Sequence, residues 1–345
     1  MADYRQVLIQ RSERAGPTDR FKDSMAVYTV VSLQQVNDLL ADFELGQATA
    51  LHGISGGIEN TNYFVDIELA SKTTRYVLTL FEEISTDEVP FFVELGTWLA
   101  DRDVPVSYAI ADRNGIGLKQ LCGKPAILQP CYSGDHIKRN ALTPDHCAQI
   151  GAMLARYHQA GSEFYMKRQA HRGVFWWRRE SSRLANQIPA EDAALLKAEV
   201  DAFDQLRETA ELPMGIIHGD LFHDNALFDN NQLTAVLDIY NAATAYLLFD
   251  LAIVANDWCI NADLQIDPAK ERALLEGYAS VRAFTAAERE AWALLTRTAA
   301  MRFWLSRLEP WVEAQQGKGS GKTLLDPSEY KEILLHRIQT PSLLP

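Results

Sequence analysis

The sequence lacks any apolar run approaching the roughly 18 residues that a membrane-spanning helix needs, and its amino terminus lacks the apolar core of a signal peptide. Cysteine is scarce as well. Cys122, Cys131, Cys147 and Cys259 form neither a Cys-x-x-Cys pair nor a zinc-binding spacing. We therefore expect free thiols in a reducing compartment, and a cytoplasmic protein.

Positive charge is also in short supply, because 33 Lys and Arg residues stand against 46 Asp and Glu residues, for a formal net charge of −13. Surfaces that bind nucleic acid or anionic membranes carry a basic excess, so we expect neither partner. A small anionic ligand such as a nucleotide is not excluded, because a bound metal ion and a few local donors can outweigh a distant acidic field.

The 345 residues are enough for two domains, and the pattern along the chain divides accordingly. Residues 1–24 show little periodicity and predict a flexible extension. Residues 25–130 predict an amino-terminal lobe with an antiparallel sheet and few helices, and residues 131–345 predict a mostly helical lobe. The fold class is thus α+β, and two such lobes commonly leave a ligand-binding cleft between them.

The stretch "GIIHGDLFHDNALFDNNQLTAVLDIYNA", residues 215–242, places polar side chains on loops between short apolar strands. Phosphoryl transfer needs a carboxylate that orients and deprotonates the attacking hydroxyl, and hard oxygen ligands for Mg²⁺. Asp220 could supply the first function, and Asn225 and Asp238 could supply the second. A turn rich in Asp and Asn would look similar if only one of these residues were present.

The spacing resembles the catalytic loop of protein kinases, H-x-D-x-x-x-x-N followed by a metal-binding aspartate. "HGDLFHDN" and "VLDIYNA" are similar to the aminoglycoside-phosphotransferase-like small-molecule kinases. This resemblance implies a protein-kinase-like two-lobed fold that uses ATP and Mg²⁺. His218 is predicted to pack under the loop rather than to act as a general base. Asp250 would balance a helix dipole or, as the resemblance implies, hold the loop's backbone. His223 is predicted to be a solvated loop side chain or, at best, a neighbour of the phosphates.

The nucleotide-binding candidates lie in the amino-terminal lobe. Gly56 and Gly57 stand between two predicted strands, where backbone N–H groups can approach phosphate oxygens closely, and Asn60 follows them. The stretch from Gln129 to Cys131 would receive adenine through backbone groups. The strand "RYVLTLFEE" has Thr79 where protein kinases carry a phosphate-binding lysine. Either another donor replaces that lysine, or phosphate binding depends on the metal ion and backbone groups.

Further segments resemble the homoserine kinases of this family, among them "ENTNYFV", "VPFFVELGTWLADRDVPV", "YNAATAYLLFDLAIVANDWC" and "RFWLSRL". The resemblance extends from Met25 to about Ile338 and implies phosphorylation of L-homoserine, an early step in threonine biosynthesis. It places these acceptor candidates: Tyr240 and Asn241 at the hydroxyl, Asp257 at the ammonium, and Arg302 or Arg307 at the carboxylate. A kinase for another amino alcohol, sugar or aminoglycoside is an alternative, as is a nucleotide-binding regulator without catalysis.

Overall fold

A computed structural model of the chain describes residues 28–54, 60–318 and 324–345. The predicted extension 1–24 and the glycines Gly56 and Gly57 lie outside these residues. The chain divides into two compact units, with the boundary between Asp135 and His136. No helix among the described residues is long and apolar enough to span a membrane.

The amino-terminal unit is built on a five-stranded antiparallel sheet with the strand order β1-β2-β3-β5-β4. Its elements are α1 (Leu33–Leu40), β1 (Gln47–Gly53), β2 (Asn60–Leu69), β3 (Lys72–Phe81), α2 (Val89–Ala100), β4 (Lys119–Leu121) and β5 (Lys124–Pro130). Helix α1 begins with a capping box between Ser32 and Gln35. These elements agree with the antiparallel sheet and few helices predicted for this part of the chain.

One face of this sheet packs against α1, because alternate side chains of a strand point to the same side. The apolar cluster contains residues of β2, β3, β5 and α1: Tyr63, Val65, Ile67, Leu78, Leu80, Ala126, Leu128, Val36 and Leu40. The opposite face of β3 presents Thr79. Its hydroxyl donates to the side-chain oxygen of Asn62 at 2.7 Å and lies 3.1 Å from that of Gln129. Thr79 therefore belongs to an uncharged polar cluster.

The carboxy-terminal unit is mostly helical. Its helices are α3 (Pro144–Ser162), α4 (Val174–Leu184), α5 (Ala190–Thr209), α6 (Leu247–Trp258), α7 (Pro268–Ala279), α8 (Ala286–Gln315) and α9 (Ser328–Gln339). Helices α3 and α7 cross at two glycines. A Cβ atom at Gly151 would lie 2.2 Å from the Leu274 carbonyl oxygen, and one at Gly277 would lie 2.2 Å from that of Ala148. Only glycine permits this close approach of the two backbones.

Two short two-stranded sheets carry the loops that contain the predicted site residues. Strand β6 (Met214–Ile217) pairs with β9 (Ala243–Tyr246), and β7 (Ala226–Asp229) pairs with β8 (Gln232–Val236). The sequence predicted β6, β7 and β8 but not β9. The four residues "ATAY" show no clear alternation, and β9 forms only because it pairs with a strand 26 or more residues earlier in the chain.

Candidate active site

The loop after β6 is held by a buried carboxylate. Asp250, in the first turn of α6, accepts hydrogen bonds from the backbone N–H groups of His218 at 2.7 Å and Gly219 at 2.8 Å. Gly219 has φ = +79°, a left-handed conformation that favours glycine. Asp250 is completely buried, so these bonds fix the loop immediately before Asp220.

His158 of α3 supports Asp250 from the other side. Its Nε2 lies 3.0 Å from the Asp250 carboxylate, and its Nδ1 lies 2.8 Å from the Tyr278 hydroxyl. Burial by itself would raise the pKa of Asp250, but the hydrogen bond and charge of His158 hold that pKa below its usual value. Asp250 is therefore ionised when it binds the loop. The sequence analysis did not identify His158, because nothing local marks it as a partner of Asp250.

His218 connects the loop after β6 to Leu237, the residue before Asp238. The Asp220 N–H donates to its Nδ1 at 3.3 Å, and its Nε2 lies 3.0 Å from the Leu237 carbonyl oxygen. Since Nδ1 accepts, the ring proton is on Nε2 and the imidazole is neutral. Burial lowers the pKa of His218, which favours this neutral form. His218 thus lies beneath the loop, in a supporting position.

Asn225 and Asp238 come together at the base of the β7–β8 hairpin. The Leu237 N–H donates to the Asn225 carbonyl at 2.9 Å, so the residue before Asp238 is paired with Asn225. The Asn225 side-chain N–H donates to the Asp220 carbonyl at 2.8 Å, which turns the amide oxygen away from that carbonyl. Asp238 follows β8 in a left-handed conformation with φ = +57°. The three predicted residues therefore share one small region.

This donor set suits Mg²⁺. Carboxylate and amide oxygens are hard ligands, and Mg²⁺ usually binds one or two protein groups together with water and substrate phosphates. Among the residues that the structure describes, no three His, Cys, Asp or Glu side chains cluster as a metal cage. A site formed by one carboxylate and one amide therefore fits an ion that enters with a phosphate ligand, rather than a permanently bound structural metal.

Asp257, near the end of α6, is bound from two directions. Arg139 donates to one carboxylate oxygen at 2.8 Å. The other oxygen accepts the His223 N–H at 2.7 Å and lies 2.8 Å from His223 Nδ1. Asp257 is completely buried. The predicted ammonium contact would require these bonds to be exchanged, and it stays a prediction. His223 is half-buried and bound to Asp257, so the prediction of a solvated His223 was wrong.

The network continues to the last helix. Glu329 of α9 accepts from Arg139 at 2.5 Å and also forms an ion pair with Arg307 of α8. The Arg307 guanidinium lies 4.5 Å from the centre of the Tyr330 ring.

Arg302 is buried and stacks 3.8 Å above Phe303. Phe303 in turn contacts the loop residue Phe222, with ring centres 4.7 Å apart.

The acceptor candidates that follow Asp238 lie in a short 3₁₀ turn, Ile239–Asn241. Tyr240 and Asn241 are both half-buried. The Asn241 backbone approaches the catalytic loop so closely that a Cβ atom at Gly219 would lie 2.8 Å from the Asn241 carbonyl oxygen. The structure thus places Asn241 beside the residue that precedes Asp220.

In the amino-terminal unit, Asn60 is buried at the start of β2. Gln129 is buried near the end of β5, and Cys131 follows that strand. The four cysteines are free thiols. Thr79 occupies the β3 position as predicted, and the side chains around it, Asn62 and Gln129, are neutral amides.

Comparison with known proteins supports the motifs. Residues 50–284 match the sequence profile of the phosphotransferase enzyme family. A homoserine kinase of Methylobacillus flagellatus is 41% identical over 314 residues, which cover 91% of this chain and 96% of that protein. A homoserine kinase of Pseudomonas aeruginosa is 40% identical, covering 93% of this chain and 99% of that protein.

Solved structures share the fold at low sequence identity. A spectinomycin phosphotransferase in complex with ADP and spectinomycin superposes with a TM-score of 0.68 at 15% identity, covering 90% of this chain and all of that chain. An amicoumacin kinase in complex with AMP-PNP, Ca²⁺ and Ami gives a TM-score of 0.65 at 16% identity, covering 89% of this chain and 92% of that chain. These similarities confirm the kinase-like α+β fold predicted from the sequence.

Proposed function

The chain belongs to the phosphotransferase enzyme family and, within it, to the homoserine kinases, and we propose that it transfers the γ-phosphoryl group of ATP to the side-chain hydroxyl of L-homoserine. The observation that carries the proposal is the joint fixation of Asp220, Asn225 and Asp238. His218 and Asn225 bind the backbone of Asp220, and both are bonded to Leu237, next to Asp238. A loop without catalytic function has no need of all three.

Asp220 acts as the base. Its carboxylate accepts a hydrogen bond from the acceptor hydroxyl and takes the proton as the new oxygen–phosphorus bond forms. The bond between the γ-phosphorus and the β–γ bridging oxygen breaks, and ADP and O-phosphohomoserine result. The half-buried position of Asp220 leaves its carboxyl partly accessible, while its backbone is fixed by Asn225 and His218.

Asn225 and Asp238 would hold Mg²⁺. When bound, this ion neutralises charge on the phosphate oxygens of ATP. The hydrogen bond from Asn225 to the Asp220 carbonyl orients the amide for that role, and the hairpin pairing positions Asp238. Gly56, Gly57 and Asn60 would bind the phosphates through backbone groups, and the Gln129–Cys131 stretch would bind adenine.

The acceptor candidates that lie in or next to the loops of the site are Tyr240, Asn241, Asp257 and Arg302, while Arg307 is engaged by Glu329. ATP, a free amino acid and four free thiols all suit the cytoplasm, which we propose as the location. We propose no nucleic-acid or membrane partner.

An acceptor panel tests the proposed function. With Mg-ATP, ADP should form fastest with L-homoserine among choline, ethanolamine, serine, methylthioribose and kanamycin. The Asp220→Ala variant should lose at least about 100-fold in kcat while still binding nucleotide, because the proton acceptor is gone. Faster turnover of another acceptor would refute the substrate assignment. Absence of turnover with every acceptor would favour a nucleotide-binding regulator.

A further inference from the structure

The segment between α3 and α4 is fixed to strand β9 at Arg168. The Thr244 N–H donates to the Arg168 carbonyl at 2.7 Å, and the Arg168 N–H donates to the Thr244 hydroxyl at 3.3 Å. The Arg168 guanidinium donates to the Ala242 carbonyl at 3.3 Å. Two bonds therefore fix the backbone of this half-buried arginine, and a third orients its side chain.

The end of this side chain lies next to the catalytic residues. Ala242 directly follows the turn Ile239–Asn241, which begins after Asp238. The Asn241 carbonyl is the atom that approaches Gly219. The Arg168 guanidinium thus binds the residue that follows Asn241, and Asn241 is where the loops of Asp220 and Asp238 meet.

We infer that Arg168 binds the α-carboxylate of the acceptor amino acid while Asp220 takes the proton of its hydroxyl. This inference rests on the proposed function. In extended L-homoserine the hydroxyl oxygen is about 5 Å from the carboxylate carbon. With a hydrogen bond of about 3 Å at each end, extended L-homoserine can join a base and a cation that lie roughly 10 Å apart.

The chemistry of the guanidinium suits this role. Arginine has five N–H donors in a planar fork that matches the two oxygens of a carboxylate. The Ala242 carbonyl accepts a hydrogen bond from one of these donors at 3.3 Å and so restrains the side chain. A preorganised guanidinium loses little side-chain entropy when the carboxylate binds.

The charge of the surrounding segment favours an anionic group. Residues 167–183 contain six Lys and Arg residues and one Glu, for a formal charge of +5 in a chain of −13. Three of these six cations are paired with carboxylates: Arg178 with Asp204, Arg179 with Glu180, and Arg183 with Glu180, Glu309 and Glu313. Lys167, Arg168 and Arg172 add positive charge at the start of the segment, which favours an anionic group there.

The test compares two acceptors in the Arg168→Met variant. L-homoserine carries the carboxylate, and 3-aminopropan-1-ol retains the hydroxyl and the ammonium at the same spacing without it. We expect kcat/KM for L-homoserine to fall by about 100-fold, and kcat/KM for 3-aminopropan-1-ol to change by less than about threefold, because only the first loses charge-assisted bonds. The KM for ATP should stay the same.

Two further variants control the experiment. Lys167→Met removes the same charge from an exposed neighbour and should leave the preference for L-homoserine intact. Arg168→Lys retains the charge but loses the fork, and should give an intermediate preference. Thermal melting of each variant identifies any loss of folding, and a lost preference in a folded protein supports the inference.

Several results would overturn it. Equal losses of kcat/KM with both acceptors in Arg168→Met would give Arg168 a structural role. If the preference for L-homoserine over 3-aminopropan-1-ol were lost in Arg302→Met but kept in Arg168→Met, the carboxylate site would lie on α8. A wild-type enzyme that does not phosphorylate L-homoserine would overturn the proposed function together with this inference. The wild-type measurement therefore separates the two failures.

Discussion

Replacing Asp257 by Asn tests whether this carboxylate supports the catalytic loop or touches the substrate. In the structure its two oxygens are engaged by Arg139 and by the backbone and ring of His223, all within 2.8 Å. His223 lies midway between Asp220 and Asn225 in the loop. The substitution should therefore disturb the proposed base and the proposed metal ligand together, whatever acceptor is present.

The loss in the free energy of unfolding caused by Asp257→Asn follows from the burial of the Asp257 carboxylate. Removing one partner of a buried ion pair costs about 3–5 kcal/mol, because the other charges remain buried without compensation. Asp257 is 0% exposed, whereas the Arg139 side chain is 29% exposed and can partly regain water, so we expect the lower end, about 3 kcal/mol. At roughly 2–4 °C per kcal/mol for a domain of 150–250 residues, the melting temperature should fall by about 6–12 °C.

The assay uses L-homoserine and 4-hydroxybutanoate, which has no ammonium group, well below the melting temperature of the variant. If Asp257 supports the loop, kcat should fall by the same factor with both acceptors and the KM for L-homoserine should change little. Asp263→Asn, the same substitution at an exposed site, should match the wild type. A rise in KM confined to L-homoserine, with unchanged turnover of 4-hydroxybutanoate, would refute this reasoning and support the ammonium contact.

Two other predictions concern the loop. Burial lowers the pKa of His218. Between pH 7.5 and 5.5, His218 is therefore protonated more readily in the unfolded state than in the folded state. The His218 contribution to the free energy of unfolding should fall by up to about 1.4 kcal/mol over this range. In urea unfolding, the free energy of unfolding should depend less on pH in His218→Asn than in the wild type, whereas the exposed control His171→Asn should match the wild type. An equal pH dependence in the wild type and both variants would contradict this prediction. Asn225→Ala should raise the half-saturating Mg²⁺ concentration at least about 10-fold relative to the exposed control Asn114→Ala, and an unchanged Mg²⁺ titration would argue against Asn225 as a ligand.

Much of the fold could be predicted from the sequence, because its signals are local. Alternating side chains predicted β2 and β3, and helical periodicity predicted the long helices, since the side-chain period reflects the backbone geometry within a few residues. The motif at the site is local as well. Asp220, Asn225 and Asp238 lie within 19 residues on consecutive loops, so the sequence already placed them near one another.

The supports of the site could not be predicted in this way. Asp250 is bound to His158, 92 residues earlier, and Asp257 to Arg139, 118 residues earlier. Glu329 contacts Arg139 across 190 residues. No spacing rule links such pairs. The misinterpretation of His223 has the same cause, because its exposure depends on a carboxylate from another helix.

By itself, the sequence determined most of the helices and strands and the family, and it predicted which residues would serve as the base and the metal ligands. Only the tertiary structure decided which charges neutralise one another, and therefore which polar side chains support the loop and which remain beside it for a substrate. The physical reason is that backbone conformation follows from neighbours in the chain. The burial and pairing of a charge depend instead on whichever distant residues fold against it.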